Sequence, residues 1–140
     1  MIVADTSYVV EAILRDASLL EDENIVTPDL TLYEIVNVLW KHETLIGDLR
    51  DSSAYLGLIL ELVSTGTIQL VRPDEKLITN AYTLSKKHKT SIYDTIFVAL
   101  ALELDLELKT FDKRQTDILS KERGKSTSNP YHLNLGQGSE

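Results

Sequence analysis

Apolar positions along the chain follow two spacings, short β-prone runs and longer stretches in which they recur every three to four residues. Ile2-Val3-Ala4 reads as a strand, and residues 8–14 carry a helical apolar face with Thr6 and Ser7 available as caps. An acidic patch, Glu21-Asp22-Glu23, leads into the strand Ile25-Val26-Thr27-Pro28. The next stretch predicts a helix from about 31 to 42 with Leu32, Ile35, Val36, Leu39 and Trp40 on its buried side. Gly47 and Asp48 mark a turn, and residues 52–63 predict a helix with Leu56, Ile59, Leu60 and Val63 inward. Ile68-Gln69-Leu70-Val71 is a third strand, and residues 75–87 form a helix bearing Leu77, Ile78, Ala81 and Leu84.

Residues 94–104 are apolar over most of a helical circumference, which marks a central helix packed on both sides. Strand 106–110 follows, then a short helix opened by Phe111-Asp112 and running to about Ser120. Tyr131-His132-Leu133-Asn134-Leu135 alternates as an edge strand would, and 136–140 reads as a frayed tail. Strands alternating with helices imply an α/β domain with a mostly parallel sheet. Such sheets bind ligands beyond the carboxyl ends of their strands. At 140 residues the chain suits one domain, taken as 1–135.

Composition removes several chemistries. There is no cysteine, so disulfides, thiolate metal sites and thiol nucleophiles are all excluded, and a reducing, cytoplasmic setting fits. The N-terminus meets an acid after Ala4, unlike a signal peptide, and no apolar run approaches the about 20 residues a membrane span needs. A net charge of −8 argues against wholesale nucleic-acid binding. The distribution matters more than the sum: Lys86, Lys87, His88 and Lys89 precede Asp94, Lys113 and Arg114 follow Asp112, and Lys121, Arg123 and Lys125 come soon after. The ordinary reading of these cations is solvated helix ends.

Four carboxylates, Asp5, Glu34, Asp94 and Asp112, each stand where an apolar or β-prone run gives way to a helix start. Each has a structural explanation. Thr31-Leu-Tyr-Glu34 and Ser91-Ile-Tyr-Asp94 match the capping box, and Asp5 and Asp112 suit N-caps. Taken together they suggest more, because Asp5 and Asp112 close strands aimed at one sheet edge. Two carboxylates about 5 Å apart repel by ~3 kcal/mol at an effective dielectric of 20, a problem that a divalent cation removes. All-oxygen ligation selects Mg²⁺ or Mn²⁺, able to activate water against a phosphodiester. Thr6, Ser7 and Thr110 are hydroxyl residues beside Asp5 and Asp112, and Asn37 lies one turn beyond Glu34. Tyr33 and Tyr93, each directly before an acid, could stack a base, although core packing is the ordinary role of such aromatics. No Gly-rich phosphate loop or G-x-S-x-G elbow appears, and His42, His88 and His132 lack metal-ligand spacing.

Four segments resemble the PIN-domain family, specifically the small VapC-type ribonuclease toxins of VapBC modules. They are residues 2–7, 32–40, 91–101 and 108–113, in that order and spacing. The resemblance implies a Rossmann-like, three-layer α/β/α sandwich around a short parallel sheet. It implies Asp5, Glu34, Asp94 and Asp112 as catalytic Mg²⁺ or Mn²⁺ ligands in RNA hydrolysis, with Thr6 and Thr110 as supporting hydroxyls. It also implies a homodimer and a VapB-like antitoxin. Lys86, Lys87, Lys89, Lys113 and Arg114 are the candidates for holding an RNA backbone. Two departures stand out: Asp105 occupies a position where glycine more often turns the chain, and Phe111 is bulkier than the usual residue.

Other readings remain at this stage. A housekeeping RNA-processing nuclease and a catalytically silent protein-binding module would use the same fold. A receiver-type or dehalogenase-like phosphotransfer domain fits less well, since the latter wants a second aspartate where Ser7 stands and the former an acidic pair near strand one.

Overall fold

Strands β1 (Ile2–Ala4), β2 (Ile25–Pro28), β3 (Ile68–Val71) and β4 (Leu108–Lys109) form one parallel sheet, in a computed structural model that describes residues 1–20 and 23–124. Their order is β3-β2-β1-β4, with Ile2 paired to Ile25 and Val3 to both Val26 and Leu108. The centre of the sheet is therefore β1 and β2, whose residues are buried throughout.

Because side chains alternate across a strand, the sheet feeds two separate cores. Val3 and Val26 pack on α4 (Glu75–His88), α5 (Ile92–Leu104) and α6 (Lys113–Arg123). Ile2, Ala4, Ile25 and Ile68 face the other way and pack with α1 (Thr6–Leu14), α2 (Leu30–Trp40) and α3 (Ser53–Ser64). The result is the three-layer α/β/α sandwich that the family resemblance implied, with three α-helices on each face among the described residues.

Helix α5 is the internal pillar expected from its all-round apolar character, with Thr95 to Leu102 buried without interruption. Its polar member is satisfied internally: Thr95 Oγ1 donates to the Ala81 carbonyl at 2.9 Å and lies 2.7 Å from Ser85 Oγ, which ties α5 to α4. Asp105 ends α5 in the left-handed region, φ +54°, the conformation that makes glycine usual at such a turn.

Several expectations need correction. Val36 and Trp40, expected to face inward from α2, are 36% and 49% exposed, and Leu60 and Ile78 are exposed as well. Helical spacing groups residues on one face but cannot distinguish a face turned to the core from a neighbouring stripe turned to solvent. The helix expected to end near 42 continues through a π-helical segment, Lys41–Ile46, and stops at Gly47 with φ +80°. The strand expected over 106–110 pairs only at Leu108–Lys109, while α6 runs past Ser120 to Arg123.

Neither capping box forms. Helix α2 begins one residue earlier, at Leu30, and Thr31 is fully buried, its Oγ1 lying 2.8 Å from Thr27 Oγ1. Ser91 is the N-cap of α5 but accepts no capping hydrogen bond on its side chain. The edge strand at 131–135, the tail at 136–140, Lys125 and two members of the acidic patch, Glu21 and Asp22, lie outside the described residues. Among the described residues, no helix is long and apolar enough to cross a membrane.

Candidate active site

The parallel sheet brings the ends of β1 and β4 to one edge, and there a cavity of about 370 Å³ opens. Asp5, Thr6 and Ser7 line it from the turn between β1 and α1, and Glu34, Asn37 and Val38 from α2. Tyr93, Asp94 and Phe97 enter from α5, and Asp112 and Gln115 from the start of α6. All four sequence-selected acids, drawn from positions 5 to 112, line this single space.

Asp5 is its fixed centre, only 4% exposed. It caps α1, accepting the Tyr8 N–H at Oδ1 over 3.1 Å, as the unpaired N–H groups of a helix start require. Ser7 Oγ donates to the same oxygen at 2.6 Å. Thr110 Oγ1 and Gln115 Nε2 donate to Oδ2 at 2.6 and 3.1 Å. Four donors thus satisfy one carboxylate, and two of them bind the neighbouring loop as well: Ser7 Oγ accepts the Phe111 N–H at 3.1 Å, and Thr110 Oγ1 accepts the Asp112 N–H at 2.8 Å.

The other three acids are held more loosely. Glu34 accepts from Thr6 Oγ1 through Oε1, Asp94 from Thr90 Oγ1 through Oδ2 at 3.2 Å, and Asp112 from the Arg114 N–H through Oδ1 at 2.9 Å. Each keeps one carboxylate oxygen without a hydrogen-bond partner among the described residues. Asp112 is the N-cap of α6, as its position suggested. Thr27 sets α2 in place, donating to the Ala4 carbonyl at 2.7 Å and meeting Thr31, so the segment carrying Glu34 is fastened to the strand end that carries Asp5.

No group of three or more His, Asp or Glu side chains among the described residues is arranged to hold a metal ion as it stands. The acids share a cavity, and each accepts from its own donors. The donor set nevertheless suits a hard divalent ion: oxygen atoms only, three of them uncommitted. Mg²⁺ commonly takes one or two carboxylates and fills its remaining positions with water and phosphate.

The basic candidates are dispersed. Lys113, exposed at the start of α6, adjoins Asp112. Arg114 is committed elsewhere, its Nη2 donating to the His88 and Lys89 carbonyls at 2.8 and 3.3 Å across the end of α4. Lys87 pairs with buried Glu122 at 2.9 Å, Lys86 lies 5.1 Å from the Tyr82 ring centroid, and Lys89 caps α4 at φ +55°.

Sequence reasoning passed over Gln115 entirely. A usable signal existed: Gln115, Ile118, Leu119 and Glu122 form the buried i, i+3, i+4, i+7 stripe of α6, and a polar residue opening such a stripe needs a partner.

The PIN domain family model matches residues 2–119, most of the chain and all four acids. The chain belongs to the PIN domain family. This PIN domain is also similar to Ribonuclease VapC3 of Pyrobaculum aerophilum, 34% identical over 88 residues that make up 63% of this chain and 66% of that protein. The alignment thus spans just under two thirds of that relative's length.

Proposed function

We propose that this PIN domain is a Mg²⁺- or Mn²⁺-dependent endoribonuclease, the toxin of a VapBC-type toxin–antitoxin pair. One observation carries the reading: four acids from four separate elements line one cavity at the carboxyl edge of a parallel sheet, three with an oxygen that has no partner among the described residues. A structural capping role explains one acid at a time but not their convergence. The similarity to a protein named a ribonuclease supports RNA as the substrate.

Asp5, Glu34, Asp94 and Asp112 would hold the ion. When bound, it supplies Lewis acidity to the phosphodiester and to the attacking water. Asp5 is the rigid ligand, since its four donors prevent rotation. Glu34, Asp94 and Asp112 have the freedom to adjust to the ion and to substrate. Thr6 and Thr110 orient carboxylates, Asn37 offers an amide at the cavity wall, and Lys113 is the cation nearest in sequence to the acids for a phosphate oxygen.

An antitoxin and a second copy of the chain have surface available to them. A groove of about 360 Å³ lined by Leu32, Tyr33, Val36, Asn37, Trp40 and Leu60 adjoins the acidic cavity, Asn37 being common to both. Leu45 and Ile46, on the π-helical segment that follows α2, are exposed apolar side chains as well. This apolar surface supports an antitoxin segment lying over the site and homodimerisation.

Cleavage of single-stranded RNA by purified protein, with Mn²⁺ and with EDTA, tests the reading. Cleavage should require the ion and disappear in Asp94→Asn and Asp112→Asn. Undiminished metal-dependent cleavage by both variants would refute it.

A further inference from the structure

We infer that Gln115 is a positioning residue of the acidic site, holding Asp5 in the orientation that the other three acids require. The inference rests on the nuclease reading above and assigns a role to a residue outside the four acids and their hydroxyls.

Three observations converge. Gln115 is 3% exposed, lines the acidic cavity, and donates from Nε2 to Asp5 Oδ2 at 3.1 Å across 110 positions of sequence. Its Oε1 is buried as well and has no hydrogen-bond partner among the described residues. Its position on α6 belongs to a stripe whose next two members are Ile118 and Leu119, where an apolar side chain would pack without any polar group to satisfy.

Chemistry fixes which way the amide points. A carboxylate only accepts, so the NH₂ end must face Asp5 and the carbonyl oxygen must turn away. The orphaned oxygen is the consequence of that constraint. Gln115 thus gives its N–H to Asp5 while its own carbonyl finds no partner among the described residues, an arrangement that serves the carboxylate more than the amide. The other donors to Asp5 come from its own helix start and from Thr110, so Gln115 is the contact that ties its Oδ2 to α6, the helix that Asp112 caps.

Gln115→Met separates positioning from structure, because methionine is similarly unbranched and removes both the amide N–H and its carbonyl without opening a large cavity. The expected result is a metal-free unfolding midpoint close to wild type, because the buried unpartnered carbonyl is removed together with the N–H that Asp5 loses, with Mn²⁺ affinity by calorimetry weakened about 10–100-fold and kcat lowered similarly. Gln115→Glu, which replaces a donor to Asp5 with a carboxylate acceptor, should show the same loss of affinity and kcat. Affinity and kcat within twofold of wild type in Gln115→Met would overturn the assignment. So would a midpoint well below wild type or failure to fold, since either assigns Gln115 to the framework. A wild-type protein that neither bound Mn²⁺ nor cleaved RNA would instead bring down the nuclease reading itself, and this proposal with it.

Discussion

Thr110 donates its hydroxyl to Asp5 Oδ2 at 2.6 Å and accepts the Asp112 N–H at 2.8 Å, so one side chain at the end of β4 couples two acids 107 positions apart. Thr110→Val removes both bonds while preserving shape. It should cost about 1–3 kcal/mol in a denaturant titration, because a partly buried carboxylate and an N–H lose a partner together. Turnover should fall about 10–100-fold, as for other residues that orient ligands. Thr110→Ser keeps the hydroxyl and should recover most of both. Equal behaviour of the valine and serine variants would remove Thr110 from the site.

Substitution of the acids should divide by how firmly each is held. Asp5→Asn offers an NH₂ group to a pocket built of four donors, so at least one donor loses its acceptor, and the fold should weaken by about 1–3 kcal/mol. Asp94 accepts one bond, at 3.2 Å, and Asp94→Asn should unfold close to wild type while losing cleavage. Thermal unfolding of the two variants side by side checks this. An Asp5→Asn protein as stable as wild type would show that the donors are not committed to a carboxylate.

Metal should stabilise the fold by mass action. At a Mn²⁺ concentration 100 times the dissociation constant, a single site binding only the folded state adds about 2.7 kcal/mol. The unfolding midpoint should therefore rise on adding Mn²⁺ and return with EDTA. In Asp94→Asn most of that rise should vanish. A midpoint indifferent to Mn²⁺ in wild type would favour a catalytically silent PIN fold.

Tyr93 is 64% exposed and lines the acidic cavity, where its ring is available to a base. Base–aromatic stacking is worth about 1–3 kcal/mol per base, so Tyr93→Ala should raise KM for single-stranded RNA about 5- to 150-fold with a smaller change in kcat. Tyr93→Phe preserves the ring and should remain near wild type. A phenylalanine variant as impaired as alanine would shift the role to the hydroxyl.

Much of the architecture was legible because it is local. Val3 and Ile2 point to opposite cores for no deeper reason than the period of two along a strand, and the all-round apolar circumference of α5 admits only a position between layers. The acids were legible as a set because each follows a strand or opens a helix. What failed was the pair of capping boxes, while the hydroxyls of Thr6 and Thr110 do bond the acids. Thr31 and Ser91 have the spacing of capping boxes, yet Thr31 bonds Thr27 and Ser91 makes no capping bond, while Thr6 reaches Glu34 from another helix. Local spacing identifies possible partners but cannot rank them against partners brought in by the fold.

Val36 and Trp40 mark a second limit of the same kind. Their helical spacing makes an apolar stripe, and nothing in a stripe says whether a core or a partner will cover it.

The sequence by itself determined the α/β alternation, the buried pillar and the four acids, because each depends on residues within a few positions of one another. The tertiary structure alone decided that Thr110 and Gln115 would hold Asp5, that Glu34 would answer to Thr6, and that Arg114 would close the end of α4 and not reach toward the acids. Those pairings join residues 25 to 110 positions apart. Directional hydrogen bonds over such separations exist only after non-directional burial has stacked the layers and set the geometry.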